Sequence, residues 1–198
     1  MSTSTVPRPR RQYAKTAQRQ AEIIEAATTV FASRGYHGGS LRDIARELDL
    51  SLTSLVHHFP TKIELLVAVL QHADSQATWL PGFGDEHGIQ AATLKLWESN
   101  YEHPELLRLL AIVAAEASAP DHPAHAWFVH RYEQAVEAYS ESIRRDQSRG
   151  RINPATDPTS AARLITATWD GLQLQWLLNP SKDLTSDFRN FLGQLLAP

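Results

Sequence analysis

A chain of 198 residues, 42% of them apolar, is long enough to bury a sizeable core, either as one domain or as a large and a small one. Having no cysteine, it is excluded from disulfide and thiolate chemistry and from an extracellular disulfide framework, so a reducing cytoplasm is the expected compartment. The net charge of −3 is unevenly spread: Met1 to Lys62 holds nine Lys and Arg against five Asp and Glu, and the remainder holds ten against seventeen. A basic head on an acidic body fits a polyanion-binding head or an ordinary solvated surface equally well.

The opening residues, Met1 to Arg19, are rich in arginine and run into an amphipathic segment rather than an apolar signal core. No apolar run approaches the roughly eighteen residues of a membrane span, so neither secretion nor membrane association is expected. The Pro/Arg/Ser/Thr composition of residues 1–14 predicts a disordered basic tail. A first helix is predicted over about Lys15 to Arg34, with Ile23, Ala27, Val30 and Phe31 on one face and Gly35 as its stop. Leu41 to Leu48 repeats the helical period, and Ser40 with Asp43 has the spacing of a capping box. After Asp49 and Leu50, Ser51 caps a short helix with the apolar pair Leu55 and Phe59, which Pro60 ends. Thr61 and Glu64 form another capping box, opening a helix that runs to about Trp79. Five more helices are predicted at about 89–99, 102–118, 122–148, 158–178 and 183–196, punctuated by Pro120, Gly150, Pro154 and Pro180. The expectation is an all-α chain of about nine helices, without strands or repeats.

Two helices joined by a turn of three or four residues, the second short and polar on its outer face, form a helix-turn-helix, whose second helix enters the DNA major groove. With Leu55 and Phe59 turned to the core, the opposite face carries Leu52, Thr53, Val56 and His57. The N-terminus at Ser51 offers free N–H groups to a phosphate, and Lys62 adds a cation at the edge of the same surface. The candidate DNA contacts are Ser40, Arg42, Ser51, Leu52, Thr53, His57, His58 and Lys62.

The run from Ile23 to Leu66 resembles the DNA-binding domain of the tetracycline-repressor (TetR) family of transcriptional regulators. The resemblance rests on Phe31, Gly35 and Tyr36, on Ile44 and Ala45, on His58 and Phe59, and on the segment from Lys62 to Leu66, and it covers about a quarter of the chain. It departs from the family at Asp49, where a Gly is usual before the turn, at Val56, where a phosphate-holding Tyr is common, and at Thr53, often a Gly. The resemblance implies a head over 15–61, joined through a fourth helix to a helical ligand-binding and dimerisation domain over 62–198. It also implies repression of transcription, relieved when a small effector shifts the body to a form whose two heads no longer match the half-sites.

In the body, Leu184, Phe188, Phe191, Leu192 and Leu195 form one apolar stripe on the last helix. The preceding helix is apolar on more than one side, through Ile165, Leu172 and Trp176 among others, so a two-fold four-helix dimer interface and a palindromic operator are expected. The family resemblance places the surrounding helices around a cavity, and Trp97, Tyr101, His103, Trp127, Phe128, Tyr132, Trp169, Gln173 and Trp176 are its candidate lining, suited to a flat or hydrophobic effector. The same aromatic residues could instead fill a helical core. His122 and His125 have helical spacing, but no ligand set completes a metal site around them, and no cofactor is expected. No nucleophile elbow, phosphate loop or paired acid and base points to catalysis. An all-helical enzyme or a protein-binding adaptor would account for the body, but for neither the basic head nor the short capped helix.

Overall fold

The computed structural model describes residues 9–76 and 81–198. Every regular element among them is a helix, ten in all: α1 (Pro9–Gly38), α2 (Leu41–Glu47), α3 (Leu52–His58), α4 (Lys62–Gln76), α5 (Pro81–His87), α6 (Ile89–Asn100), α7 (Pro104–Glu116), α8 (His125–Ser148), α9 (Pro158–Leu178) and α10 (Thr185–Leu195). None of the described helices is long and apolar enough to cross a membrane.

Local signals fix the short elements at the head. Ser40 Oγ accepts the Asp43 N–H (3.2 Å) to cap α2, Ser51 Oγ accepts the Ser54 N–H (3.1 Å) to cap α3, and Thr61 Oγ1 accepts the Glu64 N–H (3.1 Å) to start α4. Asp43 does not reach back to the cap backbone as a full capping box would. Its carboxylate instead accepts the Ser40 hydroxyl and pairs with Arg34 and Arg46. Asp49 lies in the left-handed region (φ 51), the conformation for which a Gly is usual before this turn, and a short polar side chain tolerates it best after Gly.

Two boundaries differ from the sequence expectation, and a third falls outside the described residues. The tail expected through residue 14 overlaps α1, which begins at Pro9, while residues 1–8 lie outside the described residues. The expected extension of α4 to Trp79 likewise falls on residues outside the description. Helix α8 begins at His125 rather than His122, because residues 117–124 form turns in which His122 Nδ1 accepts the Ala124 N–H (3.2 Å). At Gly35 α1 breaks, with φ 70 and ψ 176, as the stop signal predicts.

Helix α5 was not expected, since Gly82 and Gly84 weaken its own helical signal. Long-range contacts hold it. The guanidinium of Arg149 donates to the Asp85 carbonyl (2.8 Å), that of Arg151 donates to the Glu86 carbonyl (2.9 Å), and buried Asp146 accepts the Ile89 N–H (2.7 Å) at the start of α6.

Two cores organise the chain. The first joins Ile23, Phe31, Ile44, Leu55, Leu66 and Val69 of the head and α4 to Leu109 and Val113 of α7 and Phe128 of α8. The second gathers Trp97, Ile143, Ile165, Phe188 and Leu192 from α6, α8, α9 and α10. Helices α4 and α7, beyond the 61/62 boundary expected from sequence, therefore complete the core of the head.

Candidate nucleic-acid interface and effector region

Helix α3 is two turns long and anchored by Leu55 (0% exposed) and Phe59 (8%). Its opposite face presents Thr53 and His57 to solvent, with Leu52 and Val56 half-buried beside them. With its cap made by Ser51, its last turn closed by the Phe59 N–H onto the Leu55 carbonyl, and Pro60 following, the helix is a short rigid rod with a polar outer surface. Arg42 on α2 is exposed.

The remaining candidate contacts lie elsewhere. Ser40 is half-buried and committed to Asp43. His58 packs edge-on to His57 (centroids 5.6 Å) and lines an open groove with Lys15, Thr16, Gln18, Arg19 and Glu22 of α1, away from the Thr53–His57 face. The sequence offers Lys15, with Arg8, Arg10 and Arg11, as an arm for a groove or phosphate, but it does not point to Arg19, because no local signal places the first turns of α1 beside α3. The ammonium of Lys62 lies over the Tyr36 ring, 4.2 Å from its centroid. Burial holds this lysine below its ordinary pKa, and the nearby Glu116 carboxylate opposes that effect.

Behind the head lies a junction that sequence reasoning missed. The Tyr36 N–H donates to Glu116 Oε2 (2.7 Å), and the buried ring of His122 meets Tyr36 (5.1 Å) and His37 (5.4 Å) edge-on. His122 Nε2 is buried without a hydrogen-bond partner. Eighty residues separate Tyr36 from Glu116, and no spacing rule connects them.

The residues considered for an effector site divide between the two cores. Trp97 (2% exposed) touches Tyr101, Trp169 and Phe188 at 5.2, 5.1 and 4.7 Å between centroids, and Tyr101 meets Trp176 at 4.5 Å. Trp169 Nε1 donates to Gln173 Oε1 (3.1 Å), so the indole and amide expected to share a face are joined to each other. Trp127 and Phe128 pack edge-on in the first core, 4.8 Å apart, and the Tyr132 hydroxyl links α8 to α9 by donating to Asp170 Oδ2 (2.7 Å). His103 is an exposed residue at the start of α7 and does not join these residues, which corrects its expected place.

Two polar groups in this region are unusual. The Tyr101 hydroxyl is buried without a hydrogen-bond partner, and burial together with Asp183 pushes its pKa up. Burial also raises the pKa of Asp170, against the opposing effects of the Tyr132 hydrogen bond and Arg131.

The stripe expected to meet a second subunit is buried within the chain. Ile165, Phe188 and Leu192 are 0% exposed and Leu184 6%, while Leu172, Trp176, Phe191 and Leu195 pack against the same core. A different stripe of α9 is free: Leu164 (49% exposed), Ala167, Gly171, Leu174 (51%) and Leu178 (78%), spaced alternately by three and four residues. Sequence alone could not choose between the apolar sides of α9, because only packing against α6, α8 and α10 uses one of them up.

Residues 23–69 match the family of bacterial regulatory proteins described as "tetR family". The A-factor receptor protein of Streptomyces griseus is 24% identical over 168 residues, covering 81% of this chain and 56% of that protein. A crystallised TetR-family regulator from Rhodococcus shares the fold, with TM-score 0.76 and 22% identity over 91% of this chain and 100% of the other. So does SmeT, solved as a triclosan complex, with TM-score 0.71 and 20% identity over 90% of this chain and 91% of the other. Against three curated relatives the match spans 27%, 56% and 36% of their length.

Proposed function

The chain belongs, through residues 23–69, to the TetR family of bacterial regulatory proteins, and on that premise we propose that it is a ligand-responsive DNA-binding repressor of transcription rather than an enzyme, acting in the cytoplasm. The observation that carries the proposal is the outer face of α3. Its polar Thr53 and His57 stand exposed on a short, doubly anchored helix whose inner face is buried. A helix of this size enters the major groove, where a hydroxyl and an imidazole reach base edges and the half-buried Leu52 meets a thymine methyl. Arg42, the Ser51 end of α3 and Lys62 supply backbone contacts, and the groove of Lys15, Arg19 and His58 extends the basic surface along α1.

The protein works as a homodimer, with the exposed α9 stripe from Leu164 to Leu178 paired about a two-fold axis. Gly171 has open space where a Cβ would stand, which lets two helices approach closely. The effector binds in the second core. Trp97, Tyr101, Trp169 and Trp176 offer apolar and π surface there, and the unpartnered Tyr101 hydroxyl and the half-buried Asp170 carboxyl supply polar anchors. The A-factor receptor and SmeT, solved as a triclosan complex, set the precedent for a small-molecule effector.

Selection of duplexes from a random library by the full-length protein, followed by competition with unrelated DNA at a stated salt concentration, tests this reading. A palindromic consensus retained in the presence of competitor is the expected outcome, and binding that any duplex displaces equally defeats it.

A further inference from the structure

The break in α1 at Gly35 starts a new turn, closed by the Gly39 N–H onto the Gly35 carbonyl (3.2 Å), and puts the buried Tyr36 at the start of that turn. The Tyr36 N–H donates to the carboxylate of Glu116, the last residue of α7, at 2.7 Å. The approach depends on Gly35: a Cβ there would stand 2.4 Å from Glu116 Oε1, and the positive φ of 70° also favours glycine. The same corner receives the Lys62 ammonium of α4 on the face of Tyr36 and the His122 ring from the turn before α8 on its edge. Directly beyond it Gly39 packs against Phe31 and Val30, and Ser40 opens α2. The body thus caps, from outside, the turn from which the helix-turn-helix departs.

We propose that Glu116 is a positioning residue that couples the body to the reading helix: its carboxylate caps the Tyr36 turn in trans, so that a shift of α7 releases the corner carrying α2 and α3. The proposal rests on the DNA-binding regulator reading for its consequence, but the cap itself can be measured without DNA. A charge-assisted N–H···O bond to a turn start is strong and directional, and a displacement of α7 by about an ångström breaks it. The corner is then left to the packing of the Lys62 ammonium and the His122 ring on Tyr36 and to apolar contacts, and these permit it to slide.

The test compares the full-length wild type with Glu116→Ala and Glu116→Gln, the latter keeping an acceptor oxygen at the same position. Hydrogen exchange read by mass spectrometry is expected to be about tenfold faster in Glu116→Ala for peptides spanning Tyr36 to Phe59, unchanged for α9 peptides, and restored by Glu116→Gln. On the duplex selected by the wild type, Glu116→Ala is expected to bind about tenfold more weakly and Glu116→Gln within about threefold, the size one such hydrogen bond supports. The proposal is overturned if exchange rises equally in all peptides, if the Tyr36 to Phe59 peptides do not change, if Glu116→Gln behaves as Glu116→Ala, or if faster exchange there leaves DNA affinity intact. A wild-type protein that selects no duplex would instead sink the regulator reading, and the exchange comparison would still decide the cap.

Discussion

The head and the second core solve the same problem, fixing short helical pieces, by opposite means. In the head each element carries its own instruction: Ser40, Ser51 and Thr61 bond to N–H groups three residues away, Asp49 supplies the left-handed turn, and Pro60 prevents continuation. In the second core Asp157 still caps α9 locally, but other instructions come from far along the chain. Asp146 caps α6 from 57 residues away, and Trp97 donates to Thr185 across 88. Local capping frees the outer surface of a helix for a partner, whereas long-range polar bonds draw side chains inward and leave them for packing or for a ligand.

Core truncation tests that contrast most severely. Trp97→Ala removes an indole that touches Tyr101, Trp169 and Phe188, and is expected to cost about 3–5 kcal/mol in urea unfolding. A loss below about 1 kcal/mol would mean that the aromatic group is loosely packed and does not hold the body together.

Leu174→Glu places a charge in the exposed α9 stripe. Sedimentation at micromolar concentration is expected to show a folded monomer in place of a dimer, because one charge desolvated at a two-fold axis acts twice. A variant that stays dimeric removes this stripe as the interface.

Thr53→Ala and His57→Ala, on the reading face, should each weaken binding to the selected duplex by about 1–3 kcal/mol while changing unfolding free energy by less than about 0.5 kcal/mol. Lys62→Ala is expected to weaken all duplexes alike and to flatten the salt dependence by about one unit. If Thr53→Ala and His57→Ala unfold the head instead, the separation between a locally coded scaffold and a free surface fails.

The smallest effect concerns pH at the junction. Burial, chiefly, holds the His122 imidazole below its ordinary 6.5; Glu116 and Asp121 oppose this, and His37 and Lys62 add to it, with the Tyr36 ring packed alongside. Because the folded pKa is depressed, the fold favours the neutral ring. Its contribution is therefore complete above about 6.5 and is lost as pH falls below that value toward the folded pKa. His122→Asn, which keeps an acceptor for the Ala124 N–H, is expected to lower Tm less than the wild type does between pH 7 and pH 5. Equal slopes in the two proteins would assign acid sensitivity to other groups.

Much of the head was legible because its signals act within four residues: the caps, the Gly35 stop, the Pro60 boundary and the Leu55–Phe59 inner face each follow from local hydrogen bonding or helical period. The candidate interface was legible to the same depth. Thr53 and His57 stand on the face that the period assigned to them, but the period could not show that Ser40 is occupied by Asp43, that His58 turns to α1, or that Lys62 lies on Tyr36. Helix α5 was invisible because Gly82 and Gly84 argue against a helix and only Arg149 and Arg151, more than sixty residues later, satisfy its last carbonyls.

The sequence by itself determined an all-helical chain, the position and polarity of the helix-turn-helix, and the apolar residues from which two cores are built, because helical period and capping are properties of neighbours. Only the tertiary structure decided which apolar side of α9 stays outside, which aromatics meet, and which carboxylate caps Tyr36. Each of these depends on helices that are distant in sequence competing for the same volume and the same N–H groups. An amphipathic helix with two apolar sides has no preference between them until another helix has covered one.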